Sequence, residues 1–157
     1  MAGKISGVFQ LVFALGVCAA AGPCFAQSKP VVLITADEAK RPRQETANLA
    51  FRAGISRGPA INLLTPQAPA ALHSPIHLQL KFAAHGGAKI DQASVKLTDV
   101  VVPALDLTDR VKGFTKPDGI DVPEAEIPPG TYTLRAEIRD SDGHPGSLTF
   151  TLNVAKP

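Results

Sequence analysis

From residue 60 to the end, apolar and polar positions alternate in short runs. Ile76, Leu78, Leu80 and Phe82 form one such row, with His77, Gln79 and Lys81 between them. A period of two places such a row on one face of a half-buried strand. Tyr132, Leu134, Ala136 and Ile138 repeat the pattern, and so do Leu148, Phe150, Leu152 and Val154. Ala60–Leu64, Ala93–Leu97 and Ile120–Ile127 read as further strands. Residues 105–114 read as another, anchored by Leu107, Val111 and Phe114. Pro117-Asp118-Gly119 and Pro128-Pro129-Gly130 punctuate these runs, with proline presetting φ and glycine free to take positive φ. About seven short strands without a long helical period predict an all-β fold, an antiparallel β-sandwich over residues 59–157.

Residues 27–58 follow a different pattern. Val31-Val32-Leu33-Ile34 is a short apolar run able to add a strand. Thr35 and Glu38 have the spacing of a capping box, the start of a helix. Pro42 prevents a long one. Gln44–Arg52 reads as another helical turn, and Arg57-Gly58-Pro59 breaks the chain again. Too few apolar residues are present for a separate core, so a partly ordered arm is expected ahead of the sandwich.

The first 26 residues have the build of a secretory signal. Lys4 supplies the positive start, an apolar stretch runs from Ile5 to about Ala21, and Cys24-Phe25-Ala26 places small residues for cleavage before Gln27. The stretch is short for a membrane span and no stop-transfer charges follow it. A retained N-terminal anchor is the alternative. Lipidation at Cys24 is disfavoured by Pro23. Cleavage after Ala26 would put the mature chain in the periplasm or outside the cell, with no transmembrane segment. It would also remove Met1, Cys18 and Cys24, which are all of the sulfur. Disulfides, thiolate catalysis, Fe–S clusters, cysteine zinc sites and Met-rich Cu(I) sites then go with them.

Charge changes little in this picture. The formal net charge is +2. The arm carries six basic and three acidic residues, and residues 59–157 nine and eleven. A basic excess this small, in a chain poor in aromatics, does not argue for nucleic-acid binding, and no nucleic-acid partner is expected.

Tyr132 is the one tyrosine, and it stands two residues before Leu134 at the start of a predicted strand. In immunoglobulin-like sandwiches a tyrosine so placed ties its hydroxyl back to the corner between strands E and F. Residues 60–154 accordingly resemble the bacterial immunoglobulin-like and fibronectin type III-like domains of exported proteins. The resemblance is carried by Ala88–Asp91 leading into Ser94–Leu97, by the Pro128–Tyr132 corner, and by Arg139–Gly143. Ser94–Asp99, Pro129–Thr133 and Ser141–Pro145 also resemble the periplasmic copper-resistance CopC family, itself built on a β-sandwich. That resemblance implies Cu(II) ligation by an Asp-Gly-His turn, here Asp142 and His144. The family's N-terminal histidine has no counterpart, because cleavage would leave Gln27.

The turn Asp140-Ser141-Asp142-Gly143-His144 admits a second reading, since Asp and Gly favour turns for backbone reasons alone. In a seven-strand sandwich the B–C and F–G loops share one end. His85, in the first of these loops, would then approach Asp140, Asp142 and His144 in the second. Two imidazoles and one or two carboxylates suit Cu(II) or Zn(II). Calcium is disfavoured, because the EF-hand glutamate is missing. His73 and His77 have helical metal spacing, but on a strand they lie about 13 Å apart, and both read as surface residues. Asp106/Asp109 and Glu124/Glu126 read as solvated pairs. No nucleophile elbow, phosphate loop or His-Glu helix motif is present. No enzymatic activity is expected. The expected role is a binding or structural module whose partner is an envelope protein or surface component, with Cu(II)/Zn(II) binding as the alternative.

Overall fold

A computed structural model of the chain describes residues 29–42, 57–67 and 71–156. The signal segment 1–26 and the helical turn expected over 44–52 lie outside the described residues.

Nine strands form two sheets among these residues. The first sheet runs in the order β1 (Val31–Val32), β7 (Gly119–Glu126), β3 (Ile76–Ala83) and β2 (Ala60–Thr65), with β6 (Thr115–Lys116) also paired to β7. The second runs β5 (Leu105–Asp106), β4 (Ile90–Asp99), β8 (Gly130–Asp140) and β9 (Pro145–Val154). All pairings are antiparallel except β1 with β7, which is parallel. The expected all-β fold is therefore present.

The rows read from the sequence face inward. Ile76, Leu78, Leu80 and Phe82 are buried along β3, and Tyr132, Leu134, Ala136 and Ile138 along β8. They meet in one core that draws on both sheets, and Leu148, Phe150, Leu152 and Val154 of β9 join it. Each such apolar side chain removed from water contributes roughly 1.5–3 kcal/mol. Two glycines let backbones approach where a side chain would not fit. A Cβ on Gly119 would collide with the carbonyl of Leu80, and one on Gly146 with that of Pro59.

Residues 105–114 differ from the strand expected there. β5 lasts two residues and gives way to a helical turn, α2 (Thr108–Val111), and a 3-10 turn over Lys112–Phe114. Asp106 initiates the change. Its Oδ1 accepts the Thr108 N–H at 2.9 Å, and hydrogen bonding from the Thr108 side chain, together with that N–H, holds the carboxyl below its usual range. Leu107 and Val111 are both fully buried, and a spacing of four puts them on one face of a helical turn.

The described part of the expected arm packs onto the sandwich. Leu33 and Ile34 are buried in the common core. Their N–H groups reach the Glu126 carbonyl at 2.9 and 3.4 Å, extending the β1–β7 pairing. The capping box forms as read: Thr35 Oγ1 accepts from Glu38 N, and Glu38 Oε2 accepts from Thr35 N, opening the short helix α1 (Ala36–Ala39). No helix among the described residues is long and apolar enough to cross a membrane.

Candidate functional site

The turn between β8 and β9 is built around Asp140. Its side chain is 1% exposed. Oδ1 accepts the backbone N–H of Asp142 at 3.0 Å and of His144 at 2.8 Å, while Oδ2 lies 3.3 Å from His144 Nδ1. Gly143 takes φ 84° and donates its N–H to the Asp140 carbonyl at 3.0 Å. Burial alone would raise the Asp140 pKa. The His144 N–H, the imidazole and the Asp142 N–H together outweigh burial and hold the carboxyl below its usual range. A carboxylate that accepts several N–H bonds behaves this way.

The structure brings two of the four expected ligands together, Asp140 and His144. Asp142 is exposed in the turn and His85 is exposed in the β3–β4 loop. The two loops do meet, through Ser141 N to the Lys89 carbonyl at 2.8 Å and Lys89 N to Ser141 Oγ at 3.2 Å. Even so, no group of three or more potential ligands gathers among the described residues. Asp140 spends both oxygens within its own turn. With Nδ1 facing Asp140, the ring atom left for another ligand is His144 Nε2. The four-residue set expected from the two loops, Asp140, Asp142, His144 and His85, is therefore not assembled among the described residues.

His73 and His77 are both exposed, as read from the sequence. His77 Nε2 lies 2.7 Å from Asp121 Oδ1, across β3 and β7. Alternation places both on the outer face of their sheet, but nothing in the sequence pairs residues 44 positions apart.

At the other end of β8 lies a groove of about 480 Å³. Val32 and Ile34 line it on one side, Ile127, Pro128 and Pro129 on another, and His73, Ser74 and Pro75 close it. Its walls are mainly apolar. Tyr132 secures the corner that supplies them, donating its hydroxyl to the Pro128 carbonyl at 2.7 Å. Ser74 Oγ accepts the Ile127 N–H at 3.1 Å and ties the β2–β3 connection to that corner.

The arm that forms the first wall is clamped from the opposite sheet's side. Arg110 of α2 donates through Nη1 to the Leu33 carbonyl at 2.7 Å, and it also grips the Glu38 carboxylate. The Arg110 hydrogen bond, with those from Thr35, lowers the Glu38 pKa from 4.5 to about 2, against an opposing contribution from burial. The capping box made Glu38 visible in the sequence. The groove and the clamp were not visible, because both join segments far apart in the chain.

Compared with family models, curated proteins and solved structures, the chain matches none of them.

Proposed function

We propose that the chain is an exported, non-enzymatic immunoglobulin-like module that binds a protein or surface component of the bacterial cell envelope. The groove beside the sheet edge at β1 carries the binding part of this reading. Concave, mainly apolar surfaces with a few polar groups are where ligands dock, and strand edges are where partner chains add. The immunoglobulin-like part draws support from the strand order, with β2, β3 and β7 in one sheet and β4, β8 and β9 in the other. The Tyr132–Pro128 hydrogen bond supports it too, being the corner bond of that architecture. Export rests on the signal-like segment 1–26.

The test is a pull-down from envelope extract with the purified protein beside Val32→Asp. A partner retained by the wild type and lost by the variant is the expected result. Removing residues 27–58 would be a poor comparison, since Leu33 and Ile34 belong to the core. Failure of both proteins to retain any partner would overturn the reading.

Cu(II) or Zn(II) binding is the alternative reading. It draws support from one observation, that Asp140 orients His144. A carboxylate on one ring nitrogen fixes the tautomer and makes the other nitrogen a better ligand.

A further inference from the structure

The register of β1 fixes which of its backbone groups are in use. Val31 pairs with Ala125 and Val32 with Glu126, and the Leu33 N–H donates to the Glu126 carbonyl. In a parallel ladder, alternate residues of a strand bond to a given neighbour. Val31 and Leu33 therefore face β7, and Val32 turns its N–H and C=O the other way. β1 ends its sheet among the described residues. Val32 thus offers one donor and one acceptor at the edge, beside a side chain that is 47% exposed.

The groove next to this edge has a definite charge character. Its lining holds one carboxylate, Glu126, one imidazole, His73, and no lysine or arginine. Glu38, the neighbouring acid on the arm, is already neutralised by Arg110. A strand laid along β1 would bond to Val32, set an apolar side chain against the Val32 side chain that also lines the groove, and bring its next residues within reach of Glu126, the residue paired with Val32. An acid arriving there meets a like charge, while a base meets its complement. Complementarity of this kind decides between partners more than it adds raw affinity.

We infer that the outer edge of β1 and its groove take an extended segment of a partner protein in which apolar and basic residues alternate. This rests on the binding-module reading and names the chemistry of the partner.

The experiment is fluorescence anisotropy with labelled heptapeptides of alternating Val/Lys, Val/Ser and Val/Glu. The purified protein is titrated beside Val32→Pro and Glu126→Lys. Proline at 32 removes the outward N–H and leaves the Leu33–Glu126 bond in place, and a thermal melt checks that each variant folds. Val/Lys should bind about tenfold more tightly than Val/Glu. Glu126→Lys should reverse that order, and Val32→Pro should weaken every peptide. Val32→Ala, which keeps the N–H, should weaken them less than Val32→Pro. Equal binding of Val/Lys and Val/Glu would overturn the inference, as would Val/Lys binding untouched by Val32→Pro. Self-association lost in Val32→Pro would assign the edge to a second copy and overturn it as well. If no peptide binds while envelope extract still yields a partner, the edge assignment falls and the module reading stands.

Discussion

Arg110 holds Glu38 by two hydrogen bonds, Nη1 to Oε2 at 2.8 Å and Nη2 to Oε1 at 2.7 Å, across 72 residues of sequence. The pair joins the arm to α2, linking the segment that follows β1 in one sheet to the segment that follows β5 in the other. The Glu38 side chain is 15% exposed and the Arg110 side chain 29%, so this contact is better shielded than an ordinary surface ion pair.

Glu38→Gln should isolate the ion pair, because glutamine still serves a capping box. The expected loss at neutral pH is about 1 kcal/mol or somewhat more. The pH dependence follows from a folded-state pKa of about 2 against 4.5. A lowered carboxylate pKa adds stability above the unfolded value, and that stability is lost as pH falls through the folded one. Urea melts should show the gap between wild type and Glu38→Gln narrowing from pH 5 down to about pH 2. A gap that stays constant over that range would mean the carboxylate does not contribute through its charge.

Tyr132→Phe keeps the ring buried and removes the hydroxyl's bond to Pro128, for an expected cost of about 1 kcal/mol. Leu134→Ala, at a fully buried position, should cost about 2–5 kcal/mol by opening a cavity. Equilibrium unfolding in urea measures both. Equal stability of Leu134→Ala and wild type would contradict the placement of β8.

The three glycine positions Gly119, Gly146 and Gly113 should separate cleanly. Gly119→Ala and Gly146→Ala drive a methyl group into the carbonyls of Leu80 and Pro59, so each should lose about 1–3 kcal/mol. A methyl group at Gly113 meets open space. Gly113→Ala should be neutral or stabilise by about 0.4–1 kcal/mol, through the unfolded chain. Thermal melts of the three variants give the comparison directly.

Calorimetric titration with Cu(II) examines the β8–β9 turn. With one imidazole nitrogen open, the expected result is weak association that disappears in His144→Ala and persists in His85→Ala. Submicromolar affinity lost in both variants would restore the two-loop site of Asp140, Asp142, His144 and His85.

The sequence made β3, β8 and β9 legible because each carries an unbroken period-two row. It made the Asp140–His144 contact legible as well, since both residues sit in one turn. Residues 105–114 depart from the expected strand for a physical reason. Leu107 and Val111 are four apart, which puts them on one face of a strand and equally on one face of a helical turn. The carboxylate of Asp106, accepting the Thr108 N–H, tips the segment toward the turn. The groove was illegible because its walls come from residues 32–36, 73–75 and 126–129. No spacing rule connects segments so far apart, and only the pairing of β1 with β7 brings them together.

The way β1 is attached also determines how the molecule would respond to being pulled. β1 meets its sheet through two register pairs, whereas β8 and β9 share ten. Tension applied at residue 29 would therefore peel β1 and α1 away first, drawing Leu33 and Ile34 out of the core while β8 and β9 still hold. The arm is the weakest link along that line of force, and Arg110 is the fastener that decides how much load it bears before it gives.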